Sequence, residues 1–148
     1  MPGDAVLVIV FPVAVSLCYK PQQLGDDRQL MTIKSITLTP EEVHALAFSA
    51  LLACGTSRPN AESVARSVTA SEMDGIHSHG LARLPTYCEH ARCGKIKGRA
   101  RPTVKKTAAA AVTVNANDGF AHPAIDKGFE VLVPLARRVG TAAMSVYN

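Results

Sequence analysis

Asp74-Gly75-Ile76-His77-Ser78-His79-Gly80, with Arg83, Pro85, Tyr87 and Gly94 close behind, is the stretch from which the rest of this 148-residue chain is read. It places two imidazoles and a guanidinium within residues 74–83, with glycines at 75 and 80 as flexible backbone points, a composition suited to polar chemistry on a small anion. Histidine titrates near neutrality, so an imidazole here can deliver a proton to a reacting oxygen or nitrogen. Arginine offers a planar fork that grips a carboxylate through two parallel hydrogen bonds, where lysine gives only a point charge. Glycine at 75 and 80 allows a tight turn and a close approach of backbone to ligand. The segment reads as an active-site loop. Pro85 biases Leu84 away from helical angles, so the spacing predicts a short helix from Pro85 that closes before Gly94, with His79 and Arg83 on the loop leading into it.

Working outward toward the N-terminus, Thr39-Pro40-Glu41-Glu42 is a helix start: a capping threonine, proline at the first helical position and a glutamate that completes a capping box. Val43, Leu46, Ala47, Ala50 and Leu51 follow at helical spacing, and Gly55 ends the run. A second helix is expected from near Asn60, with Val64 and Val68 on one face, ending at Gly75. The pair makes a helical hairpin that feeds the His77 to Gly80 loop. Toward the C-terminus, Pro102 to Lys106 and Ala109 to Asn115 have strand character, and Asn117-Asp118-Gly119 is a turn signal. A helix from about Pro123 to Arg138, bent at Pro134 and closed by Gly140, precedes a final strand from Ala142 to Tyr147. The expected fold class is α/β: an N-terminal helical hairpin followed by part of a mixed α/β layer, incomplete at its C-terminal side.

Hydrophobic residues make up 47% of the chain and charged residues 19%, which suits a globular protein and excludes wholesale disorder. Aromatics are only 5%, so small aliphatic packing must dominate the core. The net charge of +4 is concentrated in Lys95, Lys97, Arg99, Arg101, Lys105 and Lys106. No aromatic interleaving or nucleic-acid motif accompanies this run, and it reads as a solvated loop rather than a nucleic-acid surface. Cys18, Cys54, Cys88 and Cys93 lack the spacing of a zinc or redox site and read as reduced thiols of a cytoplasmic protein. The apolar run from Ala5 to Cys18 falls short of the roughly 20 residues that span a bilayer, and only Asp4 carries charge before it. With Met31-Thr32-Ile33-Lys34 resembling an ordinary start, residues 1–30 are expected to be an upstream extension, and a signal or anchor segment is the second reading. No membrane partner is expected.

The string Ser78-His79-Gly80, Arg83, Pro85, Tyr87 and Gly94 resembles the signature of the malate/L-lactate dehydrogenase family of NAD(P)H-dependent oxidoreductases, which is unrelated to the Rossmann-type lactate and malate dehydrogenases. The likeness continues through Val114, Asp118, Gly119, the alanine-rich helix and the segment 136–148 with Gly140. The resemblance implies His79 as catalytic acid/base, Arg83 as the substrate-carboxylate clamp and Ser78 as a substrate or nicotinamide contact. It implies NADPH or NADH as cofactor, with the cofactor-binding residues left unknown, a small carboxylate as substrate, and a homodimer in the full-length protein. The His77/His79 doublet and Gly119-Phe120-Ala121-His122-Pro123-Ala124 are closer to the branch that reduces cyclic imino acids, Δ1-pyrroline- and Δ1-piperideine-2-carboxylate, than to the malate and lactate branch. Family members are more than twice as long, so the chain is expected to be an N-terminal fragment. The organisation implied is residues 1–30 as extension, 31–94 as the helical region with the catalytic loop, and 95–148 as the beginning of the cofactor and substrate domain.

Two other classes stay open on the residues alone. His77 and His79 project to one side of an extended segment and, with His90 or Asp74, could hold zinc or iron, although no further His or Cys pair completes a site. An inactive remnant, or a module that self-associates through Val43, Leu46 and Leu51, is the structural alternative. Individual residues have plainer roles as well: Tyr87 as a packing group, His122 as a helix cap, Asp118 as a turn former and Asp74 as a helix end.

Overall fold

The computed structural model describes residues 36–148 and, ahead of them, the backbone of the two-residue strand β1 (Val8–Ile9). The expectation for residues 1–30 otherwise falls outside the described residues. Helix α1 (Pro40–Ala53) begins as its sequence dictates. The Thr39 hydroxyl accepts the Glu42 amide at 3.2 Å, and the Glu42 carboxylate accepts the Thr39 amide at 2.8 Å, which satisfies two of the orphan donors of the first turn. Gly55, at φ +84°, reverses the chain after α1, a conformation open to glycine and strained for other residues.

Helix α2 (Arg58–Met73) starts two residues earlier than its periodicity suggests, because Pro59 takes the first turn, where its missing N–H costs nothing. The hairpin packs through small side chains. Ala47 and Leu51 of α1 and Ala61, Val64, Ala65 and Val68 of α2 are all 0% exposed, so the two backbones approach closely. Of the α1 face read from the sequence, Val43 and Leu51 are core, whereas Leu46 is half exposed. The proposed self-association face of Val43, Leu46 and Leu51 is therefore not a surface.

Two 3-10 turns, His77–His79 and Leu81–Arg83, lead without a break into α3 (Leu84–Arg92). The helix begins one residue before the position predicted from Pro85. Leu84 adopts φ −56°, ψ −43° despite the following proline, and its side chain is buried with Cys88 in the α1/α2 core. Burial of a leucine, worth roughly 1.5–3 kcal/mol, outweighs the pre-proline preference. The two 3-10 turns also replace the extended segment that would have set His77 and His79 side by side.

Strands β2 (Thr103–Ala108) and β3 (Ala111–Asn115) form an antiparallel hairpin in which Ala109 and Ala110 make the turn instead of extending the strand. Val112 and Val114 alternate into the core and set the register. Asn117 and Asp118 take left-handed angles, φ +54° and +58°, and send the chain into α4 (Ala121–Val139). That helix crosses over to β4 (Ala143–Tyr147), parallel to β3, so the sheet order is β1-β4-β3-β2 with mixed pairing. Pro134 does not end α4. It lies on the exposed side, where water reaches the carbonyl its missing N–H leaves unpaired.

Helix α4 lies on the sheet through Ala124, Gly128, Leu132, Leu135 and Ala136 against Val112, Val114 and Met144. Its first half is tied to α2. The Ser63 hydroxyl and the Arg66 guanidinium both donate to the Asp126 Oδ2, the former at 2.6 Å. The basic segment crosses between these layers: the Asn60 amide donates to the carbonyls of Gly98 and Ala100 at 3.0 and 2.9 Å, and Lys97 pairs with Asp118 at 2.8 Å. Lys95, Arg99, Arg101, Lys105 and Lys106 face solvent. Among the described residues, no helix is long and apolar enough to cross a membrane.

Helix propensity alone favours Ala over Gly at an interior position by about 1 kcal/mol. At Gly128 a Cβ would overlap the Met144 sulfur and come within 2.9 Å of Val114 Cγ2. Gly128→Ala is therefore expected to destabilise the chain by about 1–3 kcal/mol in urea denaturation; a stabilised variant would contradict this packing. Cys54 and Cys88 are buried, and burial, with the neighbouring Cys54 thiol second, pushes the Cys88 thiol up to about 11. Under native conditions iodoacetamide should modify the exposed Cys93 while Cys54 and Cys88 react only after denaturation, as read by peptide mapping.

Candidate active site

The segment 74–83 is held at both ends. Helix α2 ends at Met73 with Gly75 at φ +72°, and the Ile76 amide returns to the Ser71 carbonyl at 2.7 Å. At the other end Leu84 is anchored in the core. Between these points His77, Ser78 and His79 are all exposed, and so is Arg83.

The two histidines, alike in sequence, differ in their surroundings. His77 Nδ1 meets the Glu72 carboxylate at 2.6 Å, which commits that ring nitrogen to a hydrogen bond. Among the described residues His79 Nδ1 meets only the Ser78 hydroxyl, at 3.1 Å, and Nε2 has no partner. In its acid form His79 donates Nδ1–H to the Ser78 oxygen and keeps Nε2–H free for a ligand. The Arg83 backbone amide donates to the Gly80 carbonyl at 3.0 Å, while its guanidinium is in no ion pair among the described residues. The turn thus presents an uncommitted imidazole and an uncommitted guanidinium four residues apart.

Glu72 was not singled out by the sequence. One carboxylate oxygen takes His77 and the other accepts the Leu81 amide at 2.6 Å. The hydrogen bond with His77, then that from Leu81, hold its carboxyl below the usual carboxylate range. Nothing in the string Ser71-Glu72-Met73 marks this role, since it depends on how the chain folds back nine residues later.

Tyr87 packs. Its ring stands edge-on to Phe120 and His122, with centroids 5.9 and 5.6 Å away. His122 is not the cap of α4, a position Phe120 occupies, but lies in the first turn with Nδ1 buried and unpartnered. Burial lowers its pKa, with Asp126 opposing the shift. Asp118 serves in the turn, and Asp74 follows the end of α2. Among the described residues no group of three or more His, Cys, Asp or Glu gathers to hold a metal ion, and His77 is already occupied by Glu72.

With this geometry in place, the chain's relatives can be named. Residues 38–148 match the malate/L-lactate dehydrogenase family model, and the chain belongs to that family of oxidoreductases. It is 36% identical over 113 residues to a Delta(1)-pyrroline-2-carboxylate reductase of Ancylobacter novellus, covering 76% of this chain and 33% of that relative. It is 43% identical over 105 residues to a (2R)-3-sulfolactate dehydrogenase (NADP(+)) of Chromohalobacter salexigens, covering 71% of this chain and 31% of that relative. In three dimensions it resembles the delta1-piperideine-2-carboxylate reductase of Pseudomonas syringae pvar. tomato, with a TM-score of 0.72 at 32% identity over 76% of this chain and 34% of that one. The chain therefore spans about a third of the length of these relatives.

Two pH windows follow from the shifted groups. His122 is held below its ordinary 6.5, so the unfolded chain binds its proton more readily; the stability this histidine permits is complete above 6.5 and is lost as pH falls through the folded value. Glu72 acts at lower pH, with its contribution present above 4.5 and lost as pH falls through its lowered value. Thermal melts followed by circular dichroism should decline in these two stages. His122→Asn should flatten the upper one and Glu72→Gln the lower.

Proposed function

We propose that the whole protein carrying this chain is an NAD(P)H-dependent reductase that transfers hydride to a small 2-oxo acid or cyclic imino acid, with His79 as acid, Arg83 as carboxylate clamp and Ser78 as the group that orients His79. The observation that supports this most is the asymmetry of the turn: His77 is taken by Glu72, whereas His79 and Arg83 are in no ion pair among the described residues. The family and the named relatives supply the reaction class, since reduction of a C=O or C=N bond beside a carboxylate needs both a proton donor and an anion grip.

The cofactor, NADPH or NADH, supplies the hydride when bound. Dinucleotide phosphates ask for a glycine-rich turn at a helix N-terminus. Gly119, ahead of α4, does not fit that role: a Cβ there would sit 2.6 Å from Ala100 Cβ and 2.8 Å from the Ala116 carbonyl, so this glycine serves packing. The described residues contribute the substrate side of the reaction. Arg83 takes the carboxylate in two parallel hydrogen bonds and so fixes the orientation of the neighbouring carbon. His79 gives its Nε2 proton to the oxygen that becomes a hydroxyl or, for a cyclic imine, to the ring nitrogen, while Ser78 holds the opposite ring nitrogen. The reading includes residues 31–94 as the site-bearing helical unit, 95–148 as the start of the cofactor and substrate domain, a cytoplasmic location and a homodimer. Because Val43 and Leu51 are core, such a dimer must use another surface.

Turnover is measured as oxidation of NADPH or NADH with 2-oxo acids and with Δ1-piperideine-2-carboxylate. His79→Ala should lower kcat by roughly 100- to 10,000-fold with little change in cofactor KM. Arg83→Ala should mainly raise substrate KM, and Arg83→Lys should recover only part of the loss. Wild-type turnover in the His79 variant, or loss in His77→Ala equal to that in His79→Ala, would reject the assignment.

A further inference from the structure

We propose that Glu72 is the positioning residue of the catalytic turn, a carboxylate on the last turn of α2 that clamps residues 77 and 81 and so fixes His79 and Arg83 together. The inference rests on the roles given above to His79 and Arg83, and it adds a residue that touches neither substrate nor cofactor.

The geometry is that of a staple. The Glu72 side chain is 20% exposed, and its two oxygens serve different partners: Oε2 meets His77 Nδ1 and Oε1 accepts the Leu81 N–H, each at 2.6 Å. These partners bracket Ser78, His79 and Gly80. The second 3-10 turn has Gly80 at its N-cap, and glycine has no side chain with which to cap it. Glu72 performs that capping from another element. The His77 ring is 72% exposed, so water screens its contact, whereas the Leu81 contact is partly buried. The lowered pKa of Glu72 is consistent with an anion held by these two donors.

Gly80 supplies an independent observation. Its backbone sits at φ −86°, ψ −139°, and the space a side chain would need there is taken. A Cβ at Gly80 would fall on Glu72 Oε1 and lie 2.8 Å from Glu72 Cγ. Glycine at 80 and the carboxylate at 72 are therefore one device, with the missing side chain making room for the oxygen that holds the next amide. The Gly80 carbonyl in turn accepts the Arg83 amide, and the Gly80 amide donates to the His77 carbonyl at 3.1 Å. Fixing residue 80 thus orders the histidine turn behind it and the arginine turn ahead of it. Misplacement of a catalytic group by about 1 Å is enough to cost roughly 100-fold in rate.

The test compares Glu72→Ala, Glu72→Gln, Gly80→Ala and the Glu72→Ala/Gly80→Ala double variant, first by amide hydrogen exchange on the full chain. Glu72→Ala should speed exchange at Leu81 by about tenfold or more while Val64 and Val68, inside α2, keep their protection. Gly80→Ala, which displaces the carboxylate without removing it, should do the same, and the double variant should be no worse than either single one. Glu72→Gln, whose amide oxygen still accepts the Leu81 N–H, should restore most of the protection. In the whole protein Glu72→Ala should lower kcat by about 100-fold with cofactor KM unchanged, and Glu72→Gln should recover most of it. Unaltered exchange at Leu81 in Glu72→Ala, or strictly additive effects in the double variant, would overturn the proposal. If the wild-type protein reduces neither 2-oxo acids nor cyclic imino acids, the functional reading falls while the exchange data still decide the role of Glu72. If turnover is normal in Glu72→Ala, this role falls and the functional reading stands.

Discussion

Close packing of α1 against α2 and α3 is the constraint on which the candidate site depends. Ala61, Val64, Ala65 and Val68 present a small, fully buried face to Ala47 and Leu51, and Leu84 and Cys88 of α3 complete the same cluster, with Phe120 beneath them. Substituting larger side chains here would move the helix axes apart, because interiors at crystal-like density have no slack to absorb them. With α2 and α3 fixed in this way, the polar segment between Met73 and Leu84 has little freedom left. It closes the gap through two 3-10 turns, and the apolar core thereby sets the geometry of an exposed, polar site.

Electrostatics then separates residues that composition treats as equals. A carboxylate at the end of α2 takes one histidine and leaves the other, and an arginine with no counter-ion among the described residues faces solvent. The contrast with Arg66 is instructive. That guanidinium is spent on Asp126, where with Ser63 it locks α4 to α2. Two exposed arginines thus have different parts, one joining elements and one available to an anion. The same division applies to the glycines, since Gly75 is needed for its positive φ and Gly80 for the volume it leaves to a neighbouring oxygen.

Much of this was legible in the sequence where local chemistry decides the outcome. The Thr39 to Glu42 capping box, the strand that ends at Asn115 and the Asn117-Asp118 turn all involve residues a few positions apart, and each formed where the sequence predicts. The exposed His79 and Arg83 were likewise marked by their residue types. Legibility fails where distant partners act. Leu84 is helical against the pre-proline preference because a core built from residues 43–68 receives it. His122, expected as a cap, is half-buried beside Tyr87, and Glu72 acquires its partners only when residues 77 and 81 fold back over the end of α2. No local pattern encodes such contacts.

The central claim is that one turn presents a proton donor and a carboxylate grip to the same small molecule. A crystal structure of the protein with oxamate, an unreactive 2-oxo acid analogue, tests this most directly. The account predicts the oxamate carboxylate paired with the Arg83 guanidinium and its carbonyl oxygen within hydrogen-bond distance of His79 Nε2, with His77 still on Glu72. Oxamate bound through His77, or seated away from Arg83 altogether, would contradict it.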